Sequence, residues 1–286
     1  DEDDAFQQIR DFLSYLPDTV RGVAARVDTG DDPERRPQEL LDIVPTNRRQ
    51  GYDARALIRH VVDNGDFFEM RKLYASGIIT GFARLDGWSV GVIGSDPMSK
   101  AGAMDGNGAD KYTHFLDLCD TFNLPLLIFL DMPGFMLGSH AERIATMRRG
   151  ARALIASAEC QVPKIEFMVR KSYGVAADAP NSIGLPNGIN LRFGWPSGEW
   201  GGIPIEGGVA AAYRREIAAA ADPDAHREAI EERLLRLRSP FKAAHKGDVV
   251  DLIDPRETRS LACRFVNLAQ PKLVELASRT KRAVRP

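Results

Sequence analysis

Two apolar runs in the middle of the chain begin in the same way, and together they limit the fold more than any other feature. "TFNLPLLIFLD" and "ECQVPKIEFMV" each read as a helix end, two linking residues, a proline and a buried strand, and Pro125 and Pro163 are 38 residues apart. A repeat of that length fits a ββα or βα unit. Alternation of strands with helices argues for an α/β fold with much parallel sheet. The same alternation extends in both directions. "YDARALIRHVVDNGDFFEM" reads as a helix closed near Asn64-Gly65. "GIITGFARLDGW" and "SVGVIGSD" read as strands joined by a hairpin at Asp86-Gly87. "DKYTHFLDLCDTF" reads as a helix, and so does "HAERIATMRRGARALIASAE", with Ile144, Met147, Ala151, Leu154, Ile155 and Ala158 on one face. "NLRFGW" is a further strand, and helices dominate after about residue 204.

The amino end is of a different kind. Residues 4–16 read as an amphipathic helix with Phe6, Ile9, Phe12, Leu13 and Leu16 on one face, stopped by Pro17. Residues 17–52 are rich in Asp, Arg and Pro and read as an extended arm, suited to packing over a surface or reaching a neighbour. The division expected is therefore residues 1–52 as linker helix and arm, then 53–286 as one domain. Apolar residues at 44% supply a core, and a net charge of -2 argues against nucleic acid or an anionic membrane as main partner. No apolar run approaches the roughly 20 residues of a membrane helix. Cys119, Cys160 and Cys263 lack zinc or redox spacing and read as buried thiols, which fits a reducing cytoplasm.

Two strand ends run into glycines and then a helix. One is "IFLDMPGFMLG", with Pro133, Gly134, Phe135 and Gly138; the other is "VRKSYGVAADA". Free amides at a helix start point outward and favour negative charge. Two of them aimed at a carbonyl oxygen can stabilise an oxyanion, and small side chains let the substrate approach the backbone. A plain turn fits the same spacing. Arg170-Lys171 reads either as phosphate ligands or as a solvated pair. No Ser/His/Asp order, Walker loop or G-x-G-x-x-G follows any strand. His140, just after the first turn, is the only histidine near either place.

"DMPGFMLG" followed by "RRGARALIASAECQVPKIEFMVRKSYG" resembles the carboxyl-terminal half of the biotin-dependent acyl-CoA carboxyltransferases, the β subunits of propionyl-CoA carboxylase and its relatives. "FFEMRKLYASGIITGFARLDGWSVGVI", "NLRFGWPSGEWGGIPIEGG" and "SPFKAAHKGDVVDLIDPRETR" are similar to further motifs of that family in the same order, so the resemblance covers essentially the whole chain. It implies a crotonase-like β-β-α superhelix with flanking helices. It implies a carboxyltransferase half-subunit that moves a carboxyl group from carboxybiotin to the α-carbon of an acyl-CoA, with biotin carried on a partner and no metal. The partners implied are the amino-terminal carboxyltransferase half, a biotin carboxylase/biotin carrier subunit and further copies of the subunit in a hexamer; nucleic acid and membrane are not among them.

In the family, consecutive amides after Tyr-Gly stabilise the oxyanion on the biotin ureido group. Carried over, these are Val175 and Ala176, after Gly174. The biotin and substrate side would add Pro133, Gly134, Phe135, Tyr173 and Asp178, the last in register with an Asp associated with acyl-chain selection. The chain departs from the family pattern where the second Gly of Gly-Gly-Ala is Val175, and where Ala177-Asp178 replaces Tyr-Asp. Two other readings stand beside the main one: a biotin-dependent decarboxylase component, and a non-catalytic assembly subunit, which Val175 favours.

Overall fold

The computed structural model describes residues 1–178, 189–202 and 205–279. The order of elements begins α1 (Glu2–Ser14), α2 (Ala54–Val61), β1 (Phe67–Met70), β2 (Ile78–Leu85), β3 (Trp88–Ser95), α3 (Gly106–Thr121) and β4 (Leu126–Met132). It continues with α4 (Ser139–Arg143), α5 (Thr146–Glu159), β5 (Lys164–Tyr173), α6 (Gly174–Asp178), β6 (Asn190–Gly194) and β7 (Glu199–Gly201). Helices α7 (Ile205–Ala212), α8 (Arg214–Ala219), α9 (Pro223–Leu237) and α10 (Pro240–Lys246), strand β8 (Asp251–Leu252) and helix α11 (Thr258–Ala277) complete it. No helix among the described residues is long and apolar enough to cross a membrane.

The strands form one sheet in the order β1-β2-β3-β4-β5-β6-β8, with β7 paired to the far end of β5. The first two pairings are antiparallel and the others parallel. Asp86 and Gly87 both take positive φ, 49° and 79°, as a two-residue hairpin of matching twist requires. The prolines of the repeat sit just ahead of β4 and β5. They accept there without needing to donate: Pro125 O takes the Gly91 amide and Pro163 O takes the Leu126 amide, each at 2.9 Å.

Both faces of the sheet are covered, so β4 reads as a continuous apolar run rather than an alternating one. Leu126, Ile128, Leu130 and Met132 face the layer of α3 and α5, while Leu127 and Phe129 face that of α2 and α11. The arm after α1 lies on this body. Leu40 is buried, Val27 N donates to Gly87 O at 3.0 Å, and Asn123 Nδ2 donates to Val20 O and Gly22 O at 3.1 and 2.8 Å. All three cysteines are buried, and none forms a disulfide among the described residues.

Three sequence expectations change. The helix expected to close near Asn64-Gly65 ends at Val61, and Phe67–Met70 is the edge strand β1; Asn64 and Gly65, with φ of 54° and 70°, turn the chain between them. The first helix ends at Ser14, and of its named face only Phe12 and, just beyond the helix, Leu16 pack inward, while Phe6, Ile9 and Leu13 are exposed. The long helix over residues 140–159 is two helices, broken at Ala145 with φ of 55°. Its expected core face is also turned out: Met147 and Ile155 are both 55% exposed. The buried face is Thr146, Gly150, Ala153, Ala156 and Ser157, small residues that let α5 approach α3 closely. Gly150 leaves room for the Phe135 ring, whose atoms would lie 2.5 Å from an added Cβ, and Ser157 Oγ shares a 2.6 Å hydrogen bond with the Tyr112 hydroxyl. Close packing of small groups outweighed apolar periodicity here.

Candidate active site

The two strand-end turns lie side by side. β4 leads into Pro133-Gly134-Phe135 and β5 into Gly174. Gly134 has φ of 115°, and a Cβ there would meet Tyr173 O at 3.3 Å. Gly174 has φ of 65°, and its Cβ would stand 3.1 Å from Gly202 O. Both positions combine a left-handed backbone with a close backbone neighbour, which suits glycine.

Beneath the turns lies a buried ion pair. Arg170 Nη2 and Asp131 Oδ2 are 2.9 Å apart, and the other Asp131 oxygen accepts the Lys171 amide at 3.0 Å. Arg170 Nη1 also donates to Gln50 O at 2.8 Å, and its guanidinium lies 5.0 Å from the centre of the Tyr52 ring. Arg170 is thus neither a solvated residue nor a phosphate ligand: it ties together the roots of the two turns.

α6 starts at Gly174. The amides of Val175 and Ala176 belong to its first turn, which has no carbonyl of its own helix to bond. The Val175 side chain is 56% exposed, whereas those of Ala176 and Ala177 are buried. An open cleft of about 520 Å³ lies against this turn. Gly174, Val175 and Asp178 line it, with Ser172, Trp200, Gly201 and Gly202 beside them. Arg192, Arg238, Lys242 and Lys246 supply four cations to its wall, against the carboxylates of Asp178 and Asp248.

Of the residues singled out from sequence, Gly174, Val175 and Asp178 therefore share one cleft. Ala176 is adjacent but buried. Tyr173 is buried too, with its hydroxyl turned away from the cleft and donating to Glu199 Oε2 at 2.5 Å. Pro133, Gly134 and Phe135 do not line the cleft; they buttress it through Tyr173 and α5. His140 is exposed at the start of α4.

The sequence reading missed what fixes Tyr173. Glu199 on β7 is held by Arg48 from the arm, with Nε and Nη2 donating at 2.5 and 2.6 Å, and Arg238 stacks 4.9 Å from the centre of the Tyr173 ring. Polar residues 26 to 151 positions apart meet here, and no local pattern signals such a meeting. The mixed polar and apolar composition of "SGEWGG" was the only hint. Burial pushes the Tyr173 hydroxyl well above its ordinary range, and the Glu199 charge adds to this.

Burial also works to raise the Glu199 pKa, but the hydrogen bonds from Arg48 and Tyr173 and the Arg48 charge outweigh it, and the value lies below 4.5. A carboxylate lowered in the folded state contributes stability above its unfolded pKa, and that contribution is lost as pH falls through the folded value. Glu199→Gln is therefore expected to flatten the acid-side loss. The difference in urea midpoint between wild type and variant should shrink from about pH 6 to about pH 3, and a constant difference across that range would contradict the assignment.

Comparison with known proteins gives concordant matches. The family described as "Carboxyl transferase domain" matches residues 1–284. The propionyl-CoA carboxylase carboxyltransferase subunit of Haloferax mediterranei is 40% identical over 260 residues, covering 91% of this chain and 50% of its own length. The methylmalonyl-CoA decarboxylase subunit alpha of Veillonella parvula is 38% identical over 258 residues, covering 90% and 49%. Among solved structures, the transcarboxylase 12S hexamer with methylmalonyl-coenzyme A and methylmalonic acid bound superposes with a TM-score of 0.85 at 36% identity, over 100% of this chain and 53% of that one. The fold is thus that of the carboxyltransferases, the crotonase-like α/β fold expected. The chain spans about half the length of the curated relatives it matches.

Proposed function

The chain belongs to the carboxyl transferase domain family, and from that premise we propose that it is the carboxyl-terminal half of a biotin-dependent acyl-CoA carboxyltransferase. Residues 1–52 serve as linker and arm, and 53–286 as the domain that receives biotin. Biotin, carried on a partner protein or domain, supplies the carboxyl group when bound, and an acyl-CoA takes it. The amino-terminal half of the relatives supplies the remainder of the site, and the working assembly is a cytoplasmic hexamer.

The observation that carries this reading is the cleft against Gly174-Val175-Ala176. Its residues fit such a group. Gly202 leaves room for a flat ring to approach the backbone, since an added Cβ there would meet no atom of the described residues within 4 Å, whereas the space beside Gly201 is filled by the Arg238 guanidinium. The first-turn amides of Val175 and Ala176 are the donors for a developing oxyanion, and each such donor is worth on the order of 3 kcal/mol in a preorganised site. Tyr173, locked by Glu199 and Arg48, holds the strand end from which these amides start. The Arg170–Asp131 pair sets this turn against the Pro133-Gly134-Phe135 turn. The cations around the cleft favour a carboxylate-bearing ligand. Asp178, exposed at the rim, is placed to influence which acyl group is accepted.

These residues only position and stabilise, which suits a reaction whose acid-base groups belong to substrate and cofactor. The decarboxylase subunit of V. parvula is almost as similar as the carboxylase subunit, so the physiological direction is set by the partner rather than by this half.

The test is the reverse half-reaction. The subunit with both halves present should decarboxylate malonyl-CoA or methylmalonyl-CoA at a rate that rises with free biotin. Assembled protein without biotin-dependent turnover on any carboxylated acyl-CoA would contradict the proposal and favour a non-catalytic assembly role.

A further inference from the structure

Two residues of the cleft wall, Arg192 and Trp200, each carry a buried hydrogen-bond donor with no acceptor among the described residues. Arg192, on β6, is only 6% exposed. Its Nε donates to the buried Glu166 carboxylate at 3.2 Å, and its Nη1 lies 3.9 Å from Asp178. Its Nη2 is buried without a partner among the described residues. Trp200, on β7, is in the same position: its Nε1 is buried and unpaired among the described residues. The indole is not free to turn away. Its six-membered ring lies over Gly194 and Gly198, where added Cβ atoms would stand 2.9 and 2.6 Å from ring carbons.

A buried donor left unsatisfied costs about 1–3 kcal/mol, so two in one cleft wall point to a ligand that brings oxygen acceptors. The surrounding charge says which kind. Glu166 already offsets the Arg192 cation, yet Arg238, Lys242 and Lys246 still outnumber Asp178 and Asp248 around the opening. The acceptor that fits is an anion with two oxygens.

We propose that Arg192 and Trp200 form a carboxylate subsite, which holds the carboxyl group brought into the cleft by the bound substrate. This inference rests on the carboxyl-transfer reading above. The carboxylate can arrive on a carboxylated acyl thioester or on carboxylated biotin, and the recognition chemistry is the same for both. Trp200 supplies a neutral donor and Arg192 a charged one, and the amides of Val175 and Ala176 remain available for the oxyanion.

Two variants test it without leaving Glu166 unpaired. Trp200→Phe removes one N–H and keeps an aromatic ring over the glycines. Arg192→Lys keeps a cation beside Glu166 and removes the unpaired arm of the guanidinium. Calorimetric titration of the assembled subunit would compare methylmalonyl-CoA with propionyl-CoA, which differ by the carboxylate; turnover with N-carboxybiotin would run in parallel. Loss of one good hydrogen bond predicts about a tenfold weakening for the carboxylated ligand in each variant.

If methylmalonyl-CoA weakens while propionyl-CoA stays within about twofold, the subsite serves the thioester. If instead the KM for N-carboxybiotin rises about tenfold with both thioesters unchanged, it serves biotin. Equal weakening of both thioesters, or no change with any ligand, overturns the proposal. The transfer reading fails separately, by absence of biotin-dependent turnover in the wild type. Selective binding of the carboxylated thioester through Arg192 and Trp200 would then leave the subsite standing without it.

Discussion

Val175→Pro is expected to reduce biotin-dependent carboxyl transfer by about two orders of magnitude, the usual cost of one lost oxyanion donor, while the protein stays folded. Proline has no N–H, and its fixed φ is tolerated in the first turn of a helix. Position 175 accepts it for a second reason: the valine side chain is exposed, so the ring displaces no packed neighbour. Ala176 offers a poorer experiment, because its methyl group is fully buried and a ring there would disturb the core as well as the amide. Val175→Ala keeps the donor and is the control. It should leave turnover within a fewfold of wild type, or raise it where the valine crowds the ligand. A folded Val175→Pro protein with undiminished turnover would remove this amide from the mechanism.

Arg170→Met is expected to destabilise the fold by about 3–5 kcal/mol, because it leaves a buried carboxylate without its counter-charge. The two side chains are only 4% and 1% exposed, so water cannot take the place of the guanidinium. Asp131 would keep the Lys171 amide, but its second oxygen would lose the guanidinium and its charge. The arm would also be loosened, since Arg170 Nη1 holds Gln50 O. Because Asp131 and Arg170 stand at the roots of the two turns, activity should fall together with stability. Combining Arg170→Met with Asp131→Leu should recover much of the loss, since two apolar residues replace a buried pair more cheaply than one unpaired charge can be tolerated. Urea unfolding measures both, and a single-variant loss below about 1 kcal/mol would show the pair to be no more than a surface-like contact.

The parts of this fold that were legible in the sequence are those set by local chemistry. Asp86-Gly87 specified its hairpin through two left-handed residues. The prolines ahead of β4 and β5 marked the parallel repeat, and the apolar run of β4 marked a strand covered on both faces. The reading failed where tertiary packing overrode a local pattern. Met147 and Ile155 form a plausible apolar stripe, but α5 approaches α3 through Gly150, Ala153 and Ser157, and periodicity gives small residues little weight. Edge strand β1 was obscured because Phe67–Met70 follows a helix after only a short turn.

The candidate site divides in the same way. Gly174 and Val175 could be named from the strand-to-glycine-to-helix pattern and from family resemblance. Arg48, Glu199, Arg192 and Trp200 could not, because each acquires its role from partners that are distant in sequence. The Pro133-Gly134-Phe135 turn, named from sequence as a separate candidate, lies beside the Tyr173 turn but does not line the cleft.

The central claim is that biotin enters the cleft at the β5–α6 turn and meets the amides there. Amide hydrogen exchange of the assembled subunit, with and without saturating biotin, tests this without depending on turnover. Slowed exchange in a peptide spanning residues 172–178, with a smaller effect across 199–202, is the expected result. Protection confined to other segments, with residues 172–178 exchanging at the same rate whether or not biotin is bound, would contradict the account.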